Sequence, residues 1–427
     1  MNNFGDEMYS LMERLFPICR SLTGNGNRKT LNILKEYIPI DIKEEPSGKK
    51  VFDWEIPNEW NIKDAYVKDN NGVKVIDFKK NNLHLVGYSE PFEGEMNLKE
   101  LNDHLFSLPD QPDLIPYVTS YYEKRWGFCL SDNQRKNLKE GIYEVKIDST
   151  LEPGHLTYGE LIINGKSDEE IFFSTYICHP SMANNELSGP VVTTFLADYI
   201  LKSIEKPYYT YRFIFIPETI GSIVYISKHF KQLTKKVRAG YVITCIGDPG
   251  PFSYLKTRKE DQLVDRVSIH TLRHSKKKYK VYDFLARGSD ERQYNAPGID
   301  MPIGSLMRSK YGEYAEYHTS ADNLNFVKPF SLLDSLNMYK SLINVFENNH
   351  IYKTTVLCEP QLGKRGLYPN ISTKKTNEQV IDMMNIIAYC DGEKDLLWIA
   401  EKIDKPISSL SIIVDKLIDE GLLVWSD

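Results

Sequence analysis

The sequence predicts an α/β protein: a mostly parallel mixed sheet flanked by helices, with a β-rich inserted domain and a small winged-helix-like module toward the C-terminal end. Three observations lead there. Strand-like runs at 171–178, 210–217 and 240–247 alternate with helical ones at about 188–203, 220–231 and 326–347, which is the pattern of βαβ crossovers. Between about 60 and 165 the helical spacing gives way to short alternating runs broken by Asn-Gly, Pro and Gly. After about 375, three helical patterns and a terminal strand stand apart from both.

Each element follows from its residues. Met8, Leu11, Met12, Leu15, Phe16 and Cys19 recur at helical spacing, and Leu31, Leu34 and Ile38 repeat it after the Gly24-Asn-Gly-Asn turn. Two N-terminal helices are expected to pack on the same sheet as the later crossovers. Runs such as Val73-Lys-Val-Ile-Asp-Phe78 and Ile142-Tyr-Glu-Val-Lys-Ile147 alternate with period two, so 51–165 is read as an insertion between 1–50 and 166–355.

The last module is expected at 370–427. Val380, Met383, Met384 and Ile387 mark one helix, Leu396, Ile399, Ala400 and Ile403 a second, and Leu410, Ile413, Val414, Leu417 and Ile418 a third, ended by Gly421 before Leu422-Leu-Val-Trp425. From Ile371 onward it carries six Lys, no Arg and eleven Asp or Glu. That charge repels phosphate, so docking or homo-oligomer formation is expected of it rather than DNA reading.

With 427 residues, two or three compact units are expected, and 41% hydrophobic content is enough to give each a core. A formal charge of -6 argues against general nucleic-acid binding, which draws its affinity from Lys and Arg on phosphates. The start has neither a basic nor an apolar leader region, and no run approaches a membrane span, so a cytoplasmic protein with no membrane partner is expected. Six cysteines without CxxC pairing read as free thiols.

The chemistry gathers where strands stop. Ser174-Thr-Tyr-Ile-Cys-His-Pro180 ends on His179, Phe213-Ile-Phe-Ile-Pro-Glu218 on Glu218, and Tyr241-Val-Ile-Thr-Cys-Ile-Gly-Asp248 on Asp248, with Tyr317-His318 after a longer gap. Open α/β sheets build their sites at the carboxyl ends of strands. Two imidazoles and at least two carboxylates there are the donors a catalytic zinc site uses. Glu186 precedes a helix whose Ser188 and Gly189 allow close backbone approach.

The residues now support a resemblance. His179 with Ala183-Asn-Asn-Glu-Leu-Ser-Gly189, Pro217-Glu-Thr-Ile-Gly-Ser222, Gly247-Asp248, Gly288-Ser-Asp-Glu-Arg292 and Tyr317-His-Thr-Ser-Ala-Asp322 resemble the ordered motifs of the zinc-dependent aminopeptidase superfamily. More narrowly, the chain is similar to bacterial aminopeptidase-like proteins associated with polysaccharide biosynthesis, which carry a β-rich insert and a C-terminal winged helix. The resemblance implies a zinc exopeptidase-like fold. It also implies one or two zinc ions held by His179, Asp248 and His318, with Glu186 the candidate for the bridging acid. Where the superfamily has Asp-Asn, this chain has Asn185-Glu186, so either Glu186 takes over the bridge or one metal binds. Where the superfamily has two adjacent carboxylates, only Glu218 stands here, either as proton acceptor or as ligand. Asp290 and Arg292 match a motif near the site; together with Tyr311, they are the expected substrate contacts.

The leading expectation is a zinc-dependent hydrolase of the aminopeptidase type, cleaving an amide in a peptide or aminosugar-related substrate with Glu218 moving the proton. The alternative is a metal- or ligand-binding protein without turnover that recruits partners through its acidic module.

Overall fold

The computed structural model describes residues 4–367 and 374–426; the expected module start at 370 lies outside the described residues. The chain divides into two units, Met1–Val264 with Lys278–Leu336, and Asp265–Lys277 with Asn337–Asp427.

An eight-stranded mixed sheet organises the first unit. Its order is Asp41–Pro46, His155–Ile163, Thr210–Ile216, Glu170–Tyr176, Val237–Val242, Ile303–Met307, Phe252–Leu255 and Tyr279–Tyr282. The four central strands run parallel, and antiparallel pairs join the outer strands to them. Every residue of Glu170–Tyr176 and of Thr210–Ile216 is buried, which explains their nearly continuous apolar sequence. Helices Ser188–Ser203 and Ile220–Lys236 fall where the pattern predicts them.

Strands at 252–255, 279–282 and 303–307 complete the sheet within a stretch that gave no sequence signal. His155–Ile163, placed by the sequence on the insert side of the boundary at 165, is a strand of this large sheet, paired on both edges.

The inserted segment forms a four-stranded antiparallel sheet ordered Lys74–Asp77, Glu59–Lys68, Ile142–Glu152, Phe92–Asn97. Its core continues into that of the large sheet: Trp60, Val67, Val145 and Ile147 belong to one hydrophobic cluster with Phe172, Tyr176 and Ile216.

In the second unit, helices Lys374–Tyr389, Leu396–Ile403 and Ile407–Asp419 accompany a three-stranded sheet with Ile351–Thr354 at its centre, between Asp391–Asp395 and Leu423–Trp425. The terminal strand therefore pairs with a segment that the sequence reading left at the end of the preceding domain. Arg266 ties this unit together, reaching Asp395 at 3.0 Å and Glu401 at 3.2 Å. Among the described residues, no helix is long and apolar enough to cross a membrane.

Candidate active site

His179, Glu218, Asp248 and His318 all lie beyond the carboxyl ends of strands in the large sheet or in the loops that follow. His179 leaves the buried strand Glu170–Tyr176 three residues past its end and is itself buried. Its Nδ1 lies 2.8 Å from Glu186 Oε2, and its Nε2 lies 3.7 Å from Glu218 Oε2. Burial would depress the imidazole, but the Glu186 bond and charge outweigh it and its pKa rises. Glu186 Oε1 faces Arg20, whose Nε is 3.5 Å away and also donates to His179 O.

Cys178, His179 and Glu186 are the described residues whose donor atoms crowd together as a metal-binding group would. Arg20 already supplies positive charge there. Burial holds the Cys178 thiol well above its ordinary value and therefore protonated. This cluster is an orienting set for the His179 ring: a carboxylate on one ring nitrogen fixes the tautomer and turns the other outward.

His318 sits on a left-handed backbone, φ 55, with its ring stacked on Tyr317 at 3.9 Å and 5.6 Å from the ring of His179. Tyr117 of the insert packs against both imidazoles, 5.1 Å from His179 and 5.0 Å from His318, and its N–H donates to His318 O. His318 Nε2 is buried with no hydrogen-bond partner. Burial, then His179, push its pKa down to about 3, leaving a neutral lone pair. Ser181, Thr219 and Cys245 also have positive φ, so non-glycine strain of about 1–3 kcal/mol each is concentrated around these loops.

Glu218 follows Pro217; its Oε1 accepts from Ser289 Oγ at 2.6 Å. Burial raises its pKa, opposed by His179 and Ser289. Asp290 is fully buried behind it, accepting from Thr219 N at 2.7 Å and Ser222 Oγ at 2.9 Å. Its own burial and the Glu218 charge push its pKa up to about 8.

Two expected ligands take other roles in the geometry. Asp248 does not join the cluster: its oxygens accept from Ser309 N and Oγ, Gly250 N and Asn184 Nδ2, so none is left uncommitted toward a cation. Glu186 commits Oε2 to His179 Nδ1 and turns Oε1 toward Arg20. The neutral Asn185 donates to Tyr176 OH, and Asp322 caps the backbone N–H groups of Asn184 and Asn185 in the π-helical turn Ala183–Leu187.

A cavity of about 360 Å³ opens over His179 and Glu218 and is also lined by Arg292, Tyr121, Tyr122 and Trp54. Of the three expected substrate contacts, Arg292 reaches this cavity. Asp290 lies beneath Thr219, bonded to its backbone N–H, and is not part of the cavity lining. Tyr311 is turned away, its hydroxyl donating to Glu291 Oε1 at 2.6 Å, because Glu291 is buried and needs a donor. Trp54, read from sequence as a hinge residue, lines the cavity, whereas Trp60 is the structural one, stacked on Tyr88 and bonded to Ser89 O. Tyr117 and Tyr121 went unnoticed in the sequence because 115–122 has no periodicity and 27 tyrosines dilute the signal.

Residues 9–349 match the family model described as Domain of unknown function (DUF4910), and 350–425 match a winged helix-turn-helix model. A Clostridium acetobutylicum relative, named as an inferred polysaccharide biosynthesis protein with aminopeptidase-like domain, is 48% identical over 98% of this chain and 96% of its own. A crystal structure of an inferred peptidase from the same organism superposes with a TM-score of 0.94 at 46% identity, covering 99% of this chain and 97% of that one. BSAP, a zinc aminopeptidase from Bacillus subtilis, gives 0.57 at 12% identity over 80% and 94%. A peptidase M28 precursor from Shewanella amazonensis gives 0.58 at 13% over 84% and 97%. The last two likenesses concern the fold alone, which is aminopeptidase-like with a C-terminal winged helix.

Proposed function

The chain belongs to the DUF4910 family on an aminopeptidase-like fold, and from that premise we propose that it is a zinc-dependent amide hydrolase acting on a peptide or aminosugar-related substrate in polysaccharide biosynthesis. The observation that carries this is the pair of imidazoles 5.6 Å apart, one with an unpartnered Nε2, beside an acid with a raised pKa at a cavity. One cation would be held by His179 and His318, whose rings lie 5.6 Å apart. The donors do not fit two, because Asp248 is committed elsewhere and Asn185 brings no charge.

Zinc bound there would polarise an amide carbonyl and acidify a water. The chain's own groups do the rest. Glu186 and Arg20 set the His179 tautomer. Glu218, less acidic than usual through burial, takes a proton from the attacking water and can return it to the leaving nitrogen. Asp290 anchors the loop after Glu218 through Thr219 N and Ser222 Oγ, and Ser289 fixes the direction of the carboxylate. Arg292 orients the substrate. The winged-helix unit, acidic and lacking arginine after Ile371, is a docking or self-association module, and the protein works in the cytoplasm.

A second reading has its own observation. Asn185 where a bridging acid is expected, and a lone Glu218, favour a binding protein without turnover. Metal analysis together with amide hydrolysis by wild type and Glu218→Gln separates the two. Full activity in the variant retires Glu218 as the base, and metal without turnover on any amide favours the binding protein.

A further inference from the structure

The cavity is two-faced, and its aromatic face does not come from the aminopeptidase-like scaffold. Trp54, Tyr121 and Tyr122 all belong to the inserted segment. Trp54 lies on the two-stranded hairpin Lys50–Val51/Trp54–Glu55, its ring 5.5 Å from that of Tyr122 in an edge-to-face pair. Trp54 is 38% exposed and Tyr122 52%, so two large rings at this cavity are left in water. Tyr122 holds a left-handed backbone, φ 66, which a tyrosine adopts only when its surroundings enforce it. Exposed aromatic surface joined to a cavity marks a binding face rather than a core.

The other feature is a prepared cation. Arg292 donates from Nε to Ser289 O at 3.0 Å and from Nη2 to Thr219 Oγ1 at 3.2 Å. Nη1 has no hydrogen bond among the described residues, and no described carboxylate forms an ion pair with this guanidinium. A guanidinium anchored by part of its fork and free on the rest is preorganised for a carboxylate or phosphate. Thr219 and Gln293 add further polar groups to the same lining.

We infer that this cavity selects an acidic N-acylated aminosugar: a pyranose carrying an N-acyl group and one anionic substituent. The inference deepens the proposed function and rests on its reading of the cavity as the substrate site. A pyranose presents an apolar C–H face with hydroxyls around its edge, so it can lie on Trp54 and Tyr122 while its edge meets Thr219 and Gln293. The anion goes to Arg292 and the N-acyl group toward Glu218 and His179. A volume of about 360 Å³ suits a ligand of one or two sugar rings. A purely aromatic ligand would fill the same face but leave the polar lining unmatched, which costs affinity.

Calorimetry on the full chain tests this with three probes: N-acetylmuramic acid, N-acetylglucosamine and N-acetylphenylalanine. N-acetylmuramic acid is expected to bind tightest. Trp54→Ala should weaken it by about tenfold or more, with Trp54→Phe retaining most of the affinity, as expected of ring stacking. Arg292→Met should reduce it to the level of N-acetylglucosamine. Trp54 is on an exposed hairpin, and far-UV circular dichroism checks that each variant is folded. The inference is overturned if the phenylalanine probe binds as well, if both substitutions leave binding unchanged, or if folded wild type binds neither saccharide. Acetate release is measured separately. Saccharide binding without release on any amide sinks the hydrolase and spares this inference, while release from N-acetylphenylalanine without saccharide binding does the reverse.

Discussion

Glu186 Oε2 lies 2.8 Å from His179 Nδ1, so the residue expected to bridge two metals instead braces the imidazole that would hold one. Arg20, at 3.5 Å from the other carboxylate oxygen, closes the row.

Replacing Glu186 with Gln should therefore lower zinc affinity about 10- to 100-fold, the usual effect of losing a partner behind a ligating histidine. Competition with a chromogenic chelator reads this directly. Glu186→Ala should in addition cost about 3–5 kcal/mol of stability, because Arg20 is left buried and unpaired. Unchanged affinity in the Gln variant would return Glu186 to an ordinary helix-entry acid.

Glu218→Gln should keep its metal and lose about 10²- to 10⁴-fold in turnover, the range for a general base. Loss of the metal along with activity would make Glu218 a ligand instead.

Asp290 gives the protein a pH dependence of defined sign. Its folded pKa of about 8 stands above the ordinary aspartate value, so the stability it contributes is complete below the unfolded pKa and is lost as pH rises through about 8. His318, depressed to about 3, acts oppositely, with its contribution lost as pH falls from near 6.5 toward 3. Denaturant midpoints between pH 6.5 and 8.5 should therefore fall more steeply in wild type than in Asp290→Asn, where the raised pKa of His179 still contributes a decline. Parallel curves for the two proteins would contradict the raised pKa.

Gly189→Ala should destabilise the first unit by about 1–3 kcal/mol or more. An added Cβ would lie 2.3 Å from Ile243 O and 2.5 Å from Thr175 Oγ1, where neither backbone nor strand can give way. Thermal melting checks it, and Gly298→Ala is no useful control, since its φ of 86 strains any side chain.

How legible all this was depends on how the chain announces each piece. His179, Glu218 and His318 could be found because each follows an abrupt end: a β-branched run before Pro180, a Pro before the acid, a tyrosine loop before the imidazole. The parallel core was equally visible in its apolar runs. Asp248 was locatable, but three of its four hydrogen bonds depend on Ser309 and Asn184, sixty or so positions away in either direction, and no local pattern encodes them. The strands at 252–255 and 279–282 are four residues each, too short for a period to emerge. The aromatic wall was hidden for another reason: Trp54 and Tyr122 come together by tertiary approach, and a tryptophan in a turn-rich stretch reads as packing.

Tyr117 joins the insert to the site through its N–H bond to His318 O and through its ring, packed against both imidazoles. Excising the inserted segment to obtain a minimal scaffold would thus unseat a candidate metal-binding side chain as well as strip the mouth of the cavity. The inserted segment and the large sheet are one inseparable working part, and grafting either alone onto another protein would transfer a shape without its chemistry.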